Sequence, residues 1–174
     1  MYILILMILR GFVNIMKNEV YSLLNKLNIE YSKIEHPPLF TCDDFKEYHI
    51  KFDGMICKNL FITNSNKSKY YFVILPLNKK MNLKYLQKYL SETRLSFVND
   101  NILEEKLSVK SGSVSIFNII NVKDDITYIL DNDIFKYEKV GFHPNINTET
   151  IMFNSDKIIK ILEYYRAEYY IISM

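Results

Sequence analysis

Met55-Ile56-Cys57-Lys58-Asn59-Leu60-Phe61-Ile62-Thr63 and Tyr70-Tyr71-Phe72-Val73-Ile74-Leu75-Pro76 flank the polar linker Asn64-Ser65-Asn66-Lys67. Both flanks are rich in β-branched and aromatic residues, and the linker carries turn residues, so this stretch predicts a β-hairpin. Upstream, Val20, Leu23, Leu24 and Leu27 recur at helical spacing, which predicts an amphipathic helix over 18–28 followed by a strand over 31–35. His36-Pro37-Pro38 must leave that strand, because two prolines remove ladder donors and fix φ. Thr41 with Asp44 resembles a capping box and predicts a helix through about Ile50.

Downstream, Asn82 and Asn99 stand where helix caps belong, predicting helices to Leu90 and Leu107 around a strand at 94–98. Residues 126–130 and 136–140 read as a second hairpin around Asp131-Asn132-Asp133, with a strand at 148–153. Ser155 opens the last helix, and 168–173 closes the chain as a strand. Helices interspersed with hairpins predict an α+β fold: one compact domain with a mixed, largely antiparallel central sheet and flanking helices.

Composition limits the function. The 174 residues carry 22 Lys plus Arg against 20 Asp plus Glu, a net charge of +2, so any nucleic-acid contact must be local. Cys42 and Cys57 form neither a paired metal motif nor a disulfide framework, which points to a reducing cytoplasm. The apolar run at 2–9 is too short for a bilayer, which needs about 20 residues, and its first charge, Arg10, lies behind it, unlike a signal peptide. Residues 1–15 are therefore expected to be a dispensable apolar extension, with the domain at 16–174 and no membrane partner. Phosphate-binding glycine loops, the nucleophile elbow and the zincin helix are absent. Histidines 36, 49 and 143 are too scattered to suggest zinc, and neither metal nor cofactor is expected.

Three segments carry chemistry: His36 to Thr41; Cys57-Lys58-Asn59-Leu60-Phe61 with residues 71–76; and Gly112-Ser113-Val114-Ser115 with Gly141-Phe142-His143-Pro144-Asn145. Lys58 interrupts an apolar strand, where a buried ammonium needs a partner. Gly112 opens a loop whose N–H groups suit a developing oxyanion. His143 is the third element, and Asn59 should face away from Lys58 on a regular strand, unless a bulge or strand end intervenes.

In order and spacing these segments resemble the YbaK/ProX family of aminoacyl-tRNA deacylases, in particular the free-standing prolyl-tRNA editing proteins, over about residues 17–172. The resemblance implies hydrolysis of the ester of a wrongly charged tRNA, with alanyl-tRNA specific for proline as the leading substrate. It implies Lys58, Gly112, Ser113 and His143 as catalytic residues, and Asn59, Thr41, Val114 and Ser115 as substrate-binding residues. Two departures stand out: Ile116 where the family loop has proline, and Asn118 where glycine is common, which predicts a looser loop.

Aminoacyl esters are activated, so positioned water, an oxyanion donor and a selective pocket suffice; a covalent role for Ser113 or Ser115 is the secondary mechanism. A second sieve is needed where binding discriminates small side chains poorly, so a small amino acid is expected. Lys79, Lys80, Lys84 and Lys88 are the candidate tRNA-binding cations, and prolyl-tRNA synthetase is a candidate partner. The alternatives are a non-catalytic tRNA- or synthetase-binding module, and a deacylase for cysteinyl- or seryl-tRNA.

Overall fold

The first hairpin is closed by one side chain. In the computed structural model, which describes residues 15–39, 44–109, 111–122 and 125–174, Asn64 Oδ1 accepts from the Ser68 and Lys69 amides at 3.0 and 3.1 Å. Lys67 meanwhile takes the left-handed conformation with φ 57°. The flanking strands, β2 (Met55–Asn64) and β3 (Tyr70–Pro76), pair antiparallel from Cys57↔Pro76 to Thr63↔Tyr70.

Around this hairpin the sheet grows to eight strands: β1 (Tyr31–Glu35), β4 (Leu95–Phe97), β5 (Ile126–Asp131), β6 (Lys139–Phe142), β7 (Glu149–Asn154) and β8 (Tyr169–Ile172) complete it. The order is β1-β7-β6-β2-β3-β5-β8, with β4 also on β2. Four pairings are antiparallel, and β2·β6, β3·β5 and β5·β8 are parallel.

Alternation along the hairpin divides the core. Phe61, Phe72 and Ile74 face one layer, where helix α1 (residues 15–26), α4 (Asp100–Leu107) and α5 (Lys157–Tyr164) supply Leu24, Leu107 and Leu162. Ile62, Val73 and Leu75 face the other, where α3 (Leu83–Tyr89) inserts the fully buried Leu86. A central strand covered on both faces must be apolar on both, which is why β3 reads as a continuous hydrophobic run. Caps fix two helices as expected: Asn82 Oδ1 accepts from the Tyr85 amide and Asn99 Oδ1 from the Ile102 amide, each at 3.1 Å.

Several expectations change. The second hairpin does not form, because Asp131 ends β5 by accepting from the Asp133 amide at 2.8 Å, and a 3-10 turn over Asn132–Lys136 follows. That turn carries the chain to β6, which pairs β2 and β7, whereas β5 pairs β3 and β8. Helix α2 is short, Asp44–Glu47, and its expected cap Thr41 lies outside the described residues, as do residues 1–14. The first helix already includes Ile15, which is 57% exposed, and Met16, which is buried in the main core. Among the described residues no helix is long and apolar enough to cross a membrane.

Candidate active site

The sheet has a gap beside its central strand. On the edge of β2 away from β3, β6 reaches only Met55 and Ile56, and β4 only Ile62 to Asn64. The Val98 amide donates to Phe61 O at 3.3 Å, so on this edge residues 57–60 have no strand beside them among the described elements. The hydrogen-bond phase fixes which groups face the gap. Ile56 O accepts from the Leu77 amide and the Asn64 amide donates to Lys69 O, so even-numbered peptide groups point to β3. The Asn59 N–H and C=O therefore point into the gap.

A cavity of about 360 Å³ occupies this gap and brings Lys58, Asn59, Gly112, Val114 and His143 together, with walls that include Leu39, Ile56, Leu103, Phe142 and Thr150. Lys58 and Asn59 project to opposite faces, yet both line it. No bulge is needed, because a cavity at a strand edge is reached from both faces.

Lys58 Nζ donates to Leu77 O at 3.1 Å, and among the described residues no carboxylate pairs with it. The ammonium is thus held at the wall by one neutral acceptor. Asn59 Oδ1 is buried without a hydrogen-bond partner, a cost that a ligand donor in the cavity would relieve.

His143 belongs to the loop between β6 and β7. Its Nδ1 lies 2.8 Å from Glu149 O, and because a carbonyl only accepts, Nδ1 carries the proton and Nε2 is the ring's acceptor. Burial lowers its pKa from 6.5; the Glu149 carbonyl opposes that shift, and the nearby His36 reinforces it. The imidazole is neutral at pH 7. The two rings meet edge-on at 5.7 Å, and His36 is tied to Pro37 O and Thr150 Oγ1, both at 2.9 Å, which makes it a shaper of the bend. Gly141 lets β6 pass closely: a Cβ there would lie 2.5 Å from Ile56 Cδ1 and Met152 Sδ.

The Gly112 loop leads into a turn held by side chains. Gly112 has φ 85°, a conformation that strains any side chain with a Cβ. Ser115 then caps a 3-10 turn over Ile116–Ile120 in a capping box with Asn118, whose Oδ1 accepts from the Ser115 amide at 2.8 Å. Asn118 Nδ2 donates in turn to Asn145 Oδ1 at 2.9 Å, joining this loop to that of His143. Ile116 is fully buried in the main core. The two departures from the family pattern thus serve as a packing residue and a polar hub.

Other expected residues lie elsewhere. Ser115 is fully buried and does not line the cavity; its hydroxyl donates to His143 O at 2.5 Å. Ser113 is half-buried beside Gly112 and contributes no wall. Lys79 bonds Asp131 and Asp133 at 2.8 and 2.6 Å, tying its turn to the end of β5. Lys80 is exposed but precedes α3, so only Lys84 and Lys88 share an exposed helical stripe. Cys57 is buried and its thiol is pushed far up by desolvation, which makes it inert as a nucleophile. Among the described residues no three metal-ligating side chains gather. Leu77, Phe97 and Thr150 also line the site, and sequence reasoning missed them, because their role depends on the gap rather than on a motif.

The arrangement suits hydrolysis of a small polar ester: a lysine, an asparagine, a glycine loop and a histidine line one cavity. The model of the aminoacyl-tRNA editing domain matches residues 36–161. The chain belongs to that family. It is an editing domain of the aminoacyl-tRNA deacylase class, a carboxylic ester hydrolase acting on mischarged tRNA.

Among its relatives, the prolyl-tRNA editing protein ProX of Acetoanaerobium sticklandii is 30% identical over 148 residues, covering 84% of this chain and 90% of the relative. The mouse prolyl-tRNA synthetase associated domain-containing protein 1 is 29% identical over 140 residues, covering 78% and 83%. The solved structure of a candidate trans-editing enzyme for prolyl-tRNA synthetase shares the fold with TM-score 0.68 at 13% identity, covering 91% of this chain and 97% of its own.

Proposed function

We propose that this editing domain acts in trans in the cytoplasm on alanyl-tRNA for proline, removing alanine before it reaches the ribosome. One observation carries the reading: Asn59, whose buried Oδ1 has no hydrogen-bond partner, lines the cavity that also holds Lys58, Gly112 and His143. An α-ammonium is the donor that such an oxygen asks for, and an aminoacyl ester supplies one. The 30% identity to a prolyl-tRNA editing protein over most of the chain supports the choice of tRNA. The modest cavity, walled by Leu39, Ile56, Leu103 and Phe142, favours a small side chain.

In this mechanism water attacks the ester carbonyl, and the carbonyl oxygen gains negative charge that the Gly112 and Val114 amides and Lys58 stabilise. The neutral His143 ring takes a proton from the attacking water as the new carbon–oxygen bond forms. Collapse breaks the bond from carbonyl carbon to ribose oxygen, which takes that proton and leaves as the free tRNA terminus, while the amino acid departs as its carboxylic acid and ionises. Asn59 Oδ1 holds the ammonium, and Val114 bounds the amino acid. Lys84 and Lys88 attract the tRNA backbone, and prolyl-tRNA synthetase is the source of the mischarged substrate.

Deacylation of tRNA for proline charged with alanine, cysteine, serine or proline tests this reading. Fastest loss of alanine with proline spared is expected. Preference for cysteine or serine would replace the substrate, and binding without hydrolysis of any would leave a non-catalytic tRNA module.

A further inference from the structure

We propose that Phe97 is the stacking platform for the terminal adenine of the tRNA, an inference that rests on the deacylase reading above. Among the exposed large hydrophobic side chains described, Phe97 alone lines the cavity, and it is 57% exposed. It ends β4, where its partner across the ladder is Ile62. Counting back by twos along β2 puts Phe97 on the same face of the sheet as Leu60 and Lys58. Leu95, two residues earlier on that face, is buried in the second core, whereas Phe97 lies past its margin and stays uncovered.

The substrate's chemistry says what covers it. The scissile ester sits on the ribose of the last nucleoside, so with the carbonyl in the cavity the base must lie at its rim, within one nucleoside's length. Phe97 carries no hydrogen-bonding group and offers only a flat apolar face, which is how single-stranded bases are commonly held. Lys58 on the same side places positive charge near the attached phosphate. The other exposed aromatic cluster is poorly placed for this. Tyr85, Tyr89 and Tyr170 pack against one another with centroids 6.4 and 6.3 Å apart, and none lines the cavity.

An uncharged acceptor-stem microhelix ending in CCA, with 2-aminopurine in place of the last adenine, tests the contact without requiring turnover. Stacking on Phe97 quenches the probe: wild-type protein should quench it, Phe97→Ala should not, and Phe97→Tyr should restore quenching. In a parallel titration the wild type should bind an adenine-ended microhelix roughly tenfold to a hundredfold more tightly than one with an abasic terminus. Phe97→Ala should bind the two equally. Circular dichroism checks that the variants fold, as expected for an exposed residue.

Quenching that survives Phe97→Ala, or an abasic penalty unchanged by it, would overturn the inference. Deacylation of alanyl-tRNA by the wild type is read separately. Activity without Phe97-dependent discrimination would keep the deacylase reading and lose this one; discrimination without activity would do the reverse.

Discussion

The Ser115 hydroxyl donates to the His143 carbonyl across 2.5 Å, so the loop that follows Gly112 and the loop that carries His143 are tied to each other. The same oxygen accepts from the Phe117 amide at 3.4 Å. A hydroxyl engaged in both directions and shut away from the cavity is not a nucleophile. Ser115→Ala should lower stability by about 1–2 kcal/mol, the scale of a lost helix cap and buried hydrogen bond. It should reduce turnover without abolishing it. Thermal melts and deacylation kinetics read both effects, and a well-folded variant with no activity would revive the covalent mechanism.

Lys58 is held by one carbonyl and lies at the cavity wall, so the fold makes little use of its charge among the described residues. Lys58→Ala should cut kcat/KM by about a hundredfold or more, the scale of losing one transition-state donor, while its melting temperature stays close to wild type. Full turnover by the folded variant would remove Lys58 from the site.

With His143 as the proton acceptor of the proposed mechanism, its lowered pKa predicts the pH profile. Nε2 accepts only when the ring is neutral, so activity should stay level as pH falls from 8 and decline only below the ordinary value of 6.5. Stability follows the same sign. The unfolded chain takes up this proton first, so the contribution of the neutral buried ring is complete above 6.5 and fades as pH falls toward the lower folded value. His143→Asn should flatten the low-pH limb of the rate profile; an unchanged limb would assign it to another group.

Met16 is buried in the main core while Ile15 beside it is exposed. A chain beginning at Met16 should therefore express in soluble form, melt within a few degrees of the full chain and deacylate at the same rate. Loss of folding would give residues 1–15 a structural role.

Local signals in the sequence were sufficient for β1 to β4 and for the Asn82 and Asn99 caps, because each rests on neighbours in the chain. The gap was not legible. It depends on β6 meeting β2 at only two positions, Met55↔Val140 and Ile56↔Gly141, a parallel contact between segments more than eighty residues apart. Asp131-Asn132-Asp133 misled for a related reason: its turn chemistry is real, but a 3-10 turn and a hairpin use the same residues, and long-range pairing decides between them. Ile116 looked like a missing proline, and the structure shows what its side chain supplies instead, a fully buried place in the core.

An unpaired strand edge ordinarily invites another chain to add itself, the route by which sheets aggregate. Here the open stretch at residues 57–60 is recessed between β6 and β4, too short for a foreign strand to enter in register. The protein can thus keep the Asn59 peptide uncommitted in the middle of its sheet without becoming sticky toward its own copies. Water is the competitor that a substrate must displace there.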